Sequence, residues 1–276
     1  MKRILVLLLS LALIAGFTSC EEEEAVEIAY VEWACATAST YVVKTVLEDM
    51  GYNVRLTSVS AAAMWQSLAS GDMDAMTTAW LPETHRDYYE SVADDVVDLG
   101  PNYLGARLAL VVPDYVPINS LQELLDNAEQ FDNQIIGIDP GAGLMGLTED
   151  FIANNDAELT LIEGSDATMA AALGDAIQRE EWIVVTGWAP HWKFARWDLK
   201  ILDDPNNEFG AEETINTIVR KGLDEDMPEV YAMLDNFSWG DDEIGAVMEL
   251  NEEMSPEESA RKWVDENQDI VQTWIP

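Results

Sequence analysis

The 276-residue chain reads as an α/β protein of two lobes with a ligand-binding cleft between them. Three observations predict this. Short apolar runs alternate with helical patterns from Ile28 onward, the signature of a parallel sheet with helices on its faces. An apolar strand at Arg107–Val112, stopped by Pro113, reads as a crossover to a second lobe, and Thr214–Lys221 reads as the return. Finally, two strand ends carry the same residue types. Met76–Ala79 runs into Trp80-Leu81-Pro82-Glu83-Thr84-His85, and Ile183–Thr186 runs into Gly187-Trp188-Ala189-Pro190-His191. Ligands of open α/β sheets sit beyond the carboxyl ends of strands. The two stretches therefore predict two walls of one cleft, and lobes of this kind close by hinge motion.

The elements follow in order. Residues 1–20 form a leader: Lys2 and Arg3 are basic, Ile4–Gly16 is apolar but too short to span a bilayer, and Phe17-Thr18-Ser19-Cys20 ends it. This resembles a bacterial lipoprotein signal peptide with Cys20 as the lipidated first residue of the mature chain. Residues 21–26 read as a tether. Lobe I is expected over 27–111 and again over 213–276, with lobe II over 112–212. Ile28–Trp33 reads as a strand, and the small residues Ala34–Thr40 turn into a helix reaching Asp49 and capped by Gly51. Tyr52–Ser58 is the next strand and Ala61–Ala69 the next helix. A further helix carries His85, Tyr88 and Tyr89. In lobe II, Gln134–Asp139 is a strand, and Pro140-Gly141-Ala142-Gly143-Leu144-Met145 turns into a helix ending near Asn154. Leu159–Ile162 is a strand, Asp166 caps a helix to Arg179, and Asp198–Leu202 is another strand. The tail is helical. Ser255-Pro256-Glu257-Glu258 is a capping box with proline at the first helical position, and Trp263 and Trp274 are expected to dock the tail on lobe I.

Composition excludes several classes. Asp and Glu number 53 against 14 Lys and Arg, for a formal charge of −39, so nucleic acid and anionic membrane surfaces are repelled. An apolar content of 48% argues against disorder as the cause of that charge. A solvated acidic surface suited to a high-salt habitat is the expectation. Cys20 and Cys35 are the only cysteines, which leaves no disulfide framework once Cys20 is lipidated. The only histidines are His85 and His191, so a three-histidine metal site is excluded. No Ser-His-Asp arrangement is visible, and neither a cofactor nor a catalysed reaction is predicted. After the leader, no stretch is long and apolar enough to cross a membrane.

Trp33 and Trp80 are placed at strand ends of one lobe, with Trp188 and the Gly141–Met145 turn on the other. Trp65 falls inside a helical pattern with Met64 and Leu68 and is read as core; Trp192 and Trp197 are read as packing. Around the three indoles the only acids within the Trp turns are Glu32 and Glu83. A box of indoles without strong acceptors suits a cation that has no N–H to donate, a quaternary ammonium, each face contributing roughly 0.5–2 kcal/mol. His85 and the backbone N–H groups of Gly143 and Leu144 at a helix start suit a carboxylate. Together they describe a small zwitterion.

At this point the chain resembles the glycine betaine/proline betaine substrate-binding proteins of ABC transporters. The stretches that carry the resemblance include Trp33, Gly71-Asp72-Met73-Asp74, Trp80–His85, Gly137–Met145, Gly187–Trp192, Asp198–Pro205 and Ile218–Gly222. The resemblance implies a two-lobe periplasmic-binding-protein fold of type II. It implies a cage of Trp33, Trp80 and Trp188, carboxylate contacts from His85 and from the Gly143 and Leu144 backbone, and an ABC permease as partner. It implies glycine betaine or proline betaine as ligand for a monomeric, exported protein held at the membrane by its lipid alone, or free in the periplasm. Choline-preferring relatives carry an acidic residue two positions after the first cage tryptophan. Cys35 stands there here, which argues against choline as the main ligand. Tyr103 is a candidate for an extra wall, and His191 is expected to order the turn around Trp188. Two other classes stay open: an exported module that senses the ligand for a receptor, and a carbohydrate-active enzyme that stacks sugars on tryptophan platforms.

Overall fold

The computed structural model describes residues 25–276. Cys20, the leader and the tether as far as Glu24 lie outside the described residues.

The first half of the molecule is built on strands β1 (Val26–Tyr30), β2 (Val54–Ser58) and β3 (Ala75–Leu81). Helices α1 (Ala34–Asp49), α2 (Ala61–Ser70) and α3 (Arg86–Val92) alternate with them. β1 lies between β2 and β3 and is parallel to both, with Ile28 opposite Leu56 and Ala75. That is the βαβαβ unit that the alternation predicts, and it turns the carboxyl ends of the strands to one edge. The connections are made by ordinary capping chemistry. The Ser60 hydroxyl accepts from the Ala63 N–H at the start of α2. Gly71 ends that helix in the left-handed conformation, φ 78°, where a side chain would be strained.

The two lobes share a strand. β4 runs for 18 residues, Val96–Pro113. Its first part, from Val96 to Ala106, pairs antiparallel with β9 (Glu213–Arg220), which in turn pairs with β3. Its second part leaves β9: Arg107–Val111 pair with β7 (Val185–Ala189), and Val111–Pro113 pair with β8 (Leu199–Ile201). Between these lie α4 (Leu121–Asp126), β5 (Gln134–Ile136), α5 (Gly143–Asn154), β6 (Thr160–Ile162), α6 (Asp166–Arg179) and the short α7 (Lys193–Arg196). β5 is parallel to both β6 and β7. The strand order is β2-β1-β3-β9-β4-β7-β5-β6, with β8 on β4. The Arg107–Val112 crossover is thus present, but it is the second half of a longer strand. Gly100, Pro101 and Gly105 hide the first half from its sequence pattern. The register shifts between Asp98 and Gly100, Pro101 and Tyr103, and Leu104 and Ala106.

After β9 the chain returns to the first lobe as α8 (Leu223–Asp226), α9 (Pro228–Asn236), α10 (Asp241–Asn251), α11 (Pro256–Glu266) and α12 (Gln268–Val271). The capping box is formed as expected: the Ser255 hydroxyl accepts from the Glu258 N–H while the Glu258 carboxylate accepts from the Ser255 N–H. α11 lies on α1. The Trp263 and Trp274 rings stack at 6.0 Å and are buried, which docks the tail on lobe I.

Four local readings are corrected. β1 ends at Tyr30, and Trp33 is the extended residue at the head of α1. β1 takes in Val26, which the tether reading included, and Ala25 is buried beside it. β3 and β7 run through Trp80 and Trp188. Ser165, not Asp166, caps α6, in a capping box with Thr168, which frees the Asp166 carboxylate for contacts elsewhere.

Candidate functional site

A small cavity lies between the lobes. It is lined by Trp33, Trp80, His85, Gly143, Leu144 and Trp188, together with Cys35, Thr84, Leu108, Ile138 and Ala142. All six residues singled out from sequence therefore meet at one place. Trp33 comes from the head of α1, Trp80 from β3 and Trp188 from β7; each is at most 5% exposed. Leu108 comes from the strand shared by the lobes.

The first Trp-Pro-His turn is held by its own backbone. The His85 N–H donates to the Trp80 carbonyl at 2.9 Å, and the Trp80 N–H donates to His85 Nδ1 at 3.1 Å. The second bond fixes the tautomer. Nδ1 accepts, so in the neutral ring the proton sits on Nε2. Burial holds the ring neutral by pushing its pKa down to about 3. Trp65, fully buried as expected for core, meets the His85 ring edge-on at 6.0 Å, and Tyr88 meets it at 6.0 Å. Glu213 of β9 closes the turn: its carboxylate accepts from the Glu83 N–H at 2.6 Å, the Thr84 N–H at 2.9 Å and the Thr84 hydroxyl. The Leu81–Pro82 peptide is cis. His85 is thus a rigid, uncharged donor beside three indoles.

The opposite wall is the start of α5. Gly143 and Leu144 are its first two residues, and the residue before them, Ala142, supplies no side-chain cap. The first N–H groups of an α-helix have no partner within it and carry the positive end of the helix dipole. Gly143 has a steric reason to be glycine. A Cβ there would lie 2.3 Å from the Thr84 carbonyl oxygen, so only glycine lets this helix end approach the first turn. The Tyr88 hydroxyl donates to the Gly141 carbonyl at 2.7 Å across the same gap.

Two carboxylates that the sequence reading did not place at the site grip lobe I from lobe II. Asp139 accepts from the Trp33 Nε1–H at 3.0 and 3.2 Å. Burial pushes its carboxyl above the usual range, and the indole bond only partly offsets this. Asp166 accepts from the Ala34 N–H at 2.9 Å. Its other oxygen lies 2.9 Å from His191 Nε2. His191 Nδ1 accepts from the Lys193 N–H at 3.0 Å, so its proton also sits on Nε2, donated to Asp166. Burial pushes His191 down to about 4, which keeps it neutral. Burial also acts to raise Asp166, but the hydrogen bonds from His191 and Ala34 and the nearby Lys193 outweigh it and hold the carboxyl below its ordinary value. The His191 ring meets the Trp188 ring at 4.6 Å, close to perpendicular.

Two sequence readings need correction. Tyr103 is not a wall: it lies outside the cavity lining, and its hydroxyl donates to Asp241 of α10. The acids near the box are not limited to Glu32 and Glu83, although Asp139 is engaged by the Trp33 indole. Trp192 and Trp197 pack on each other at 5.5 Å, as read. Cys35 is buried in the lining, and burial pushes its thiol up to about 12, so it is a neutral apolar surface. Among the described residues no cluster of His, Cys, Asp and Glu suits a metal, and no helix is long and apolar enough to cross a membrane.

The fold and this cavity define a two-lobe ligand-binding protein of type II, closed on an aromatic box. Residues 24–266 match the family described as the substrate-binding domain of ABC-type glycine betaine transport systems, and the chain belongs to that family. It is similar to the glycine/betaine/L-proline-binding protein of Borrelia burgdorferi, 42% identical over 92% of this chain and 97% of that one, with a TM-score of 0.88. It is similar also to a lactococcal protein in its closed form with glycine betaine, at 39% identity and TM-score 0.87 over 92% and 100% of the two chains. A choline-binding protein in complex with choline is 26% identical over 91% of each chain, with a TM-score of 0.83. The glycine betaine/carnitine transport binding protein of Listeria monocytogenes is 46% identical over 54% of this chain; the match spans about half the length of that relative.

Proposed function

We propose that the chain is an extracytoplasmic binding protein that captures glycine betaine, or a related quaternary-ammonium osmolyte such as proline betaine, and delivers it to an ABC permease. The observation that carries this is the composition of one cavity: three indoles, a neutral histidine with its Nε2 proton free of the turn, and a helix N-terminus. Trp33, Trp80 and Trp188 take the methylated ammonium on their faces, which a group without N–H can occupy fully. The carboxylate accepts from His85 Nε2–H and from the amides of Gly143 and Leu144. Ligand closes the protein because these groups come from different lobes. The lobes are taken as 27–111 with 213–276, and 112–212. Lipid on Cys20 is the only membrane attachment, and the protein acts as a monomer.

No reaction follows from this site. The cavity holds no nucleophile–base pair: Cys35 is a neutral thiol, and His85 spends its Nδ1 on the Trp80 amide. A sugar would need several polar side chains around the indoles, where the lining offers Thr84 and His85. Calorimetric titration with glycine betaine, with glycine as control, tests the reading. Betaine is expected to bind and glycine to give no heat. Binding of glycine, or of a hexose, in preference to betaine would overturn it.

A further inference from the structure

Lys193 opens α7, one turn after Trp188, and its side chain is wholly buried. Among the described residues its Nζ has no hydrogen-bond partner. It lies 4.2 Å from the centroid of the Trp188 ring and 5.4 Å from that of Phe194. A buried ammonium normally secures a carboxylate or several carbonyls, because desolvation is costly. Here an aromatic ring takes that place, and the ring is a wall of the box. Lys193 itself is outside the cavity lining.

The charges around it are few. From α6 it faces Asp166, from α1 Cys35, and from the turn before it His191. Cys35 is a neutral thiol and His191 a neutral imidazole, for the reasons given above. Asp166 is the one charged neighbour, and its two oxygens are already engaged by Ala34 and His191. The positive charge of Lys193 is therefore weakly compensated, and it shares the Trp188 π-system with whatever the box holds.

We propose that Lys193 is a specificity-determining residue that makes the box favour quaternary ammonium ligands of zero net charge over net cations. This rests on the reading of the box as a quaternary-ammonium site. A ligand cation on Trp188 and the Lys193 ammonium are like charges at one aromatic ring, and in a low-dielectric site they repel. For a betaine the carboxylate at His85 and Gly143 offsets much of that repulsion. For choline nothing does. Desolvation pulls the Lys193 pKa down from 10.5 to about 7, with Asp166 opposing the fall. The ammonium is therefore fully present below neutral pH and is lost as pH rises through about 7.

The test is calorimetric titration of the full chain and of Lys193→Met and Lys193→Arg, with glycine betaine and choline as probes, at pH 6 and pH 8.5. Lys193→Met is expected to strengthen choline binding about tenfold and betaine binding about twofold at pH 6. Lys193→Arg keeps the wild-type ratio. In the wild type the choline-to-betaine affinity ratio rises between pH 6 and pH 8.5, and in Lys193→Met it does not. That pH series needs no variant, so it decides the matter even where a substitution prevents folding. A wild-type ratio unchanged with pH, or a folded Lys193→Met with the wild-type ratio, overturns the proposal alone. A wild type that binds neither probe overturns the functional reading and this proposal with it.

Discussion

The two Trp-Pro-His turns use the same residues for opposite ends. In both, a cis proline stands two positions after the tryptophan, and in both the histidine Nδ1 accepts a backbone N–H, from Trp80 in one and Lys193 in the other. That leaves each Nε2 proton to be spent. His85 lines the cavity with its Nε2 proton free of the turn, and the proposed function gives that proton to the ligand. His191 gives its proton to Asp166, which also holds the Ala34 amide of the facing lobe. In the proposed function the first turn supplies a binding group, while the second forms a clasp through Asp166. What separates them is the neighbour of each ring: the Trp65 indole, perpendicular to His85, against a carboxylate that takes the proton of His191.

Substitutions in either turn separate the two roles. The largest effect is expected from the wall that both lobes need. Trp188→Ala removes a cation–π face and the buried area with it, and glycine betaine affinity should fall about a hundredfold in a calorimetric titration. His85→Ala removes a charge-assisted hydrogen bond, so betaine should weaken about tenfold or more while choline, with no carboxylate, changes little. Equal losses for both ligands would remove His85 from the carboxylate. Asp166→Asn leaves one of its two donors poorly served. Betaine affinity should drop severalfold, up to about tenfold, through a less stable closed form, and free-protein melting should fall slightly.

Two smaller effects concern the protons of the two histidines and the surface charge. Burial keeps His85 neutral down to about pH 3, so its donor role does not titrate near neutrality. Betaine affinity should vary by less than about threefold between pH 5 and pH 6.5. Stability should behave differently. His85 and His191 have folded pKa values below their unfolded ones, at about 3 and about 4. The unfolded chain therefore binds protons first, and their contribution is lost as pH falls from about 6.5 toward these values. His191→Gln should blunt that acid loss in thermal melts. Last, a chain of formal charge −39 repels itself, and added salt should raise the melting temperature by about 5 °C through screening.

The residues that line the box were legible in the sequence because they sit on strand ends and a glycine-rich helix start, where residue type and local pattern coincide. Trp33, Trp80, Trp188, His85, Gly143 and Leu144 all line the cavity. What supports them was not legible. Asp139, Asp166 and Glu213 lie 106, 132 and about 130 positions from the groups that they hold. No local signal pairs residues so far apart, and Asp166 sits where a helix cap is the natural reading. Lys193 was missed because a lysine in an amphipathic stretch is normally solvated. The front half of β4 was missed because Gly100, Pro101 and Gly105 break the alternation that marks a strand. The parallel βαβαβ start of the sheet, by contrast, needed only the alternation of strand and helix patterns.

The measurement that bears most directly on the two turns is a crystal structure with glycine betaine bound. The trimethylammonium group should lie among Trp33, Trp80 and Trp188, and the carboxylate within hydrogen-bond distance of His85 Nε2 and the Gly143 and Leu144 amides. His191 should remain on Asp166. A ligand carboxylate on His191, or a betaine bound outside the indole box, would contradict the division of labour between the turns.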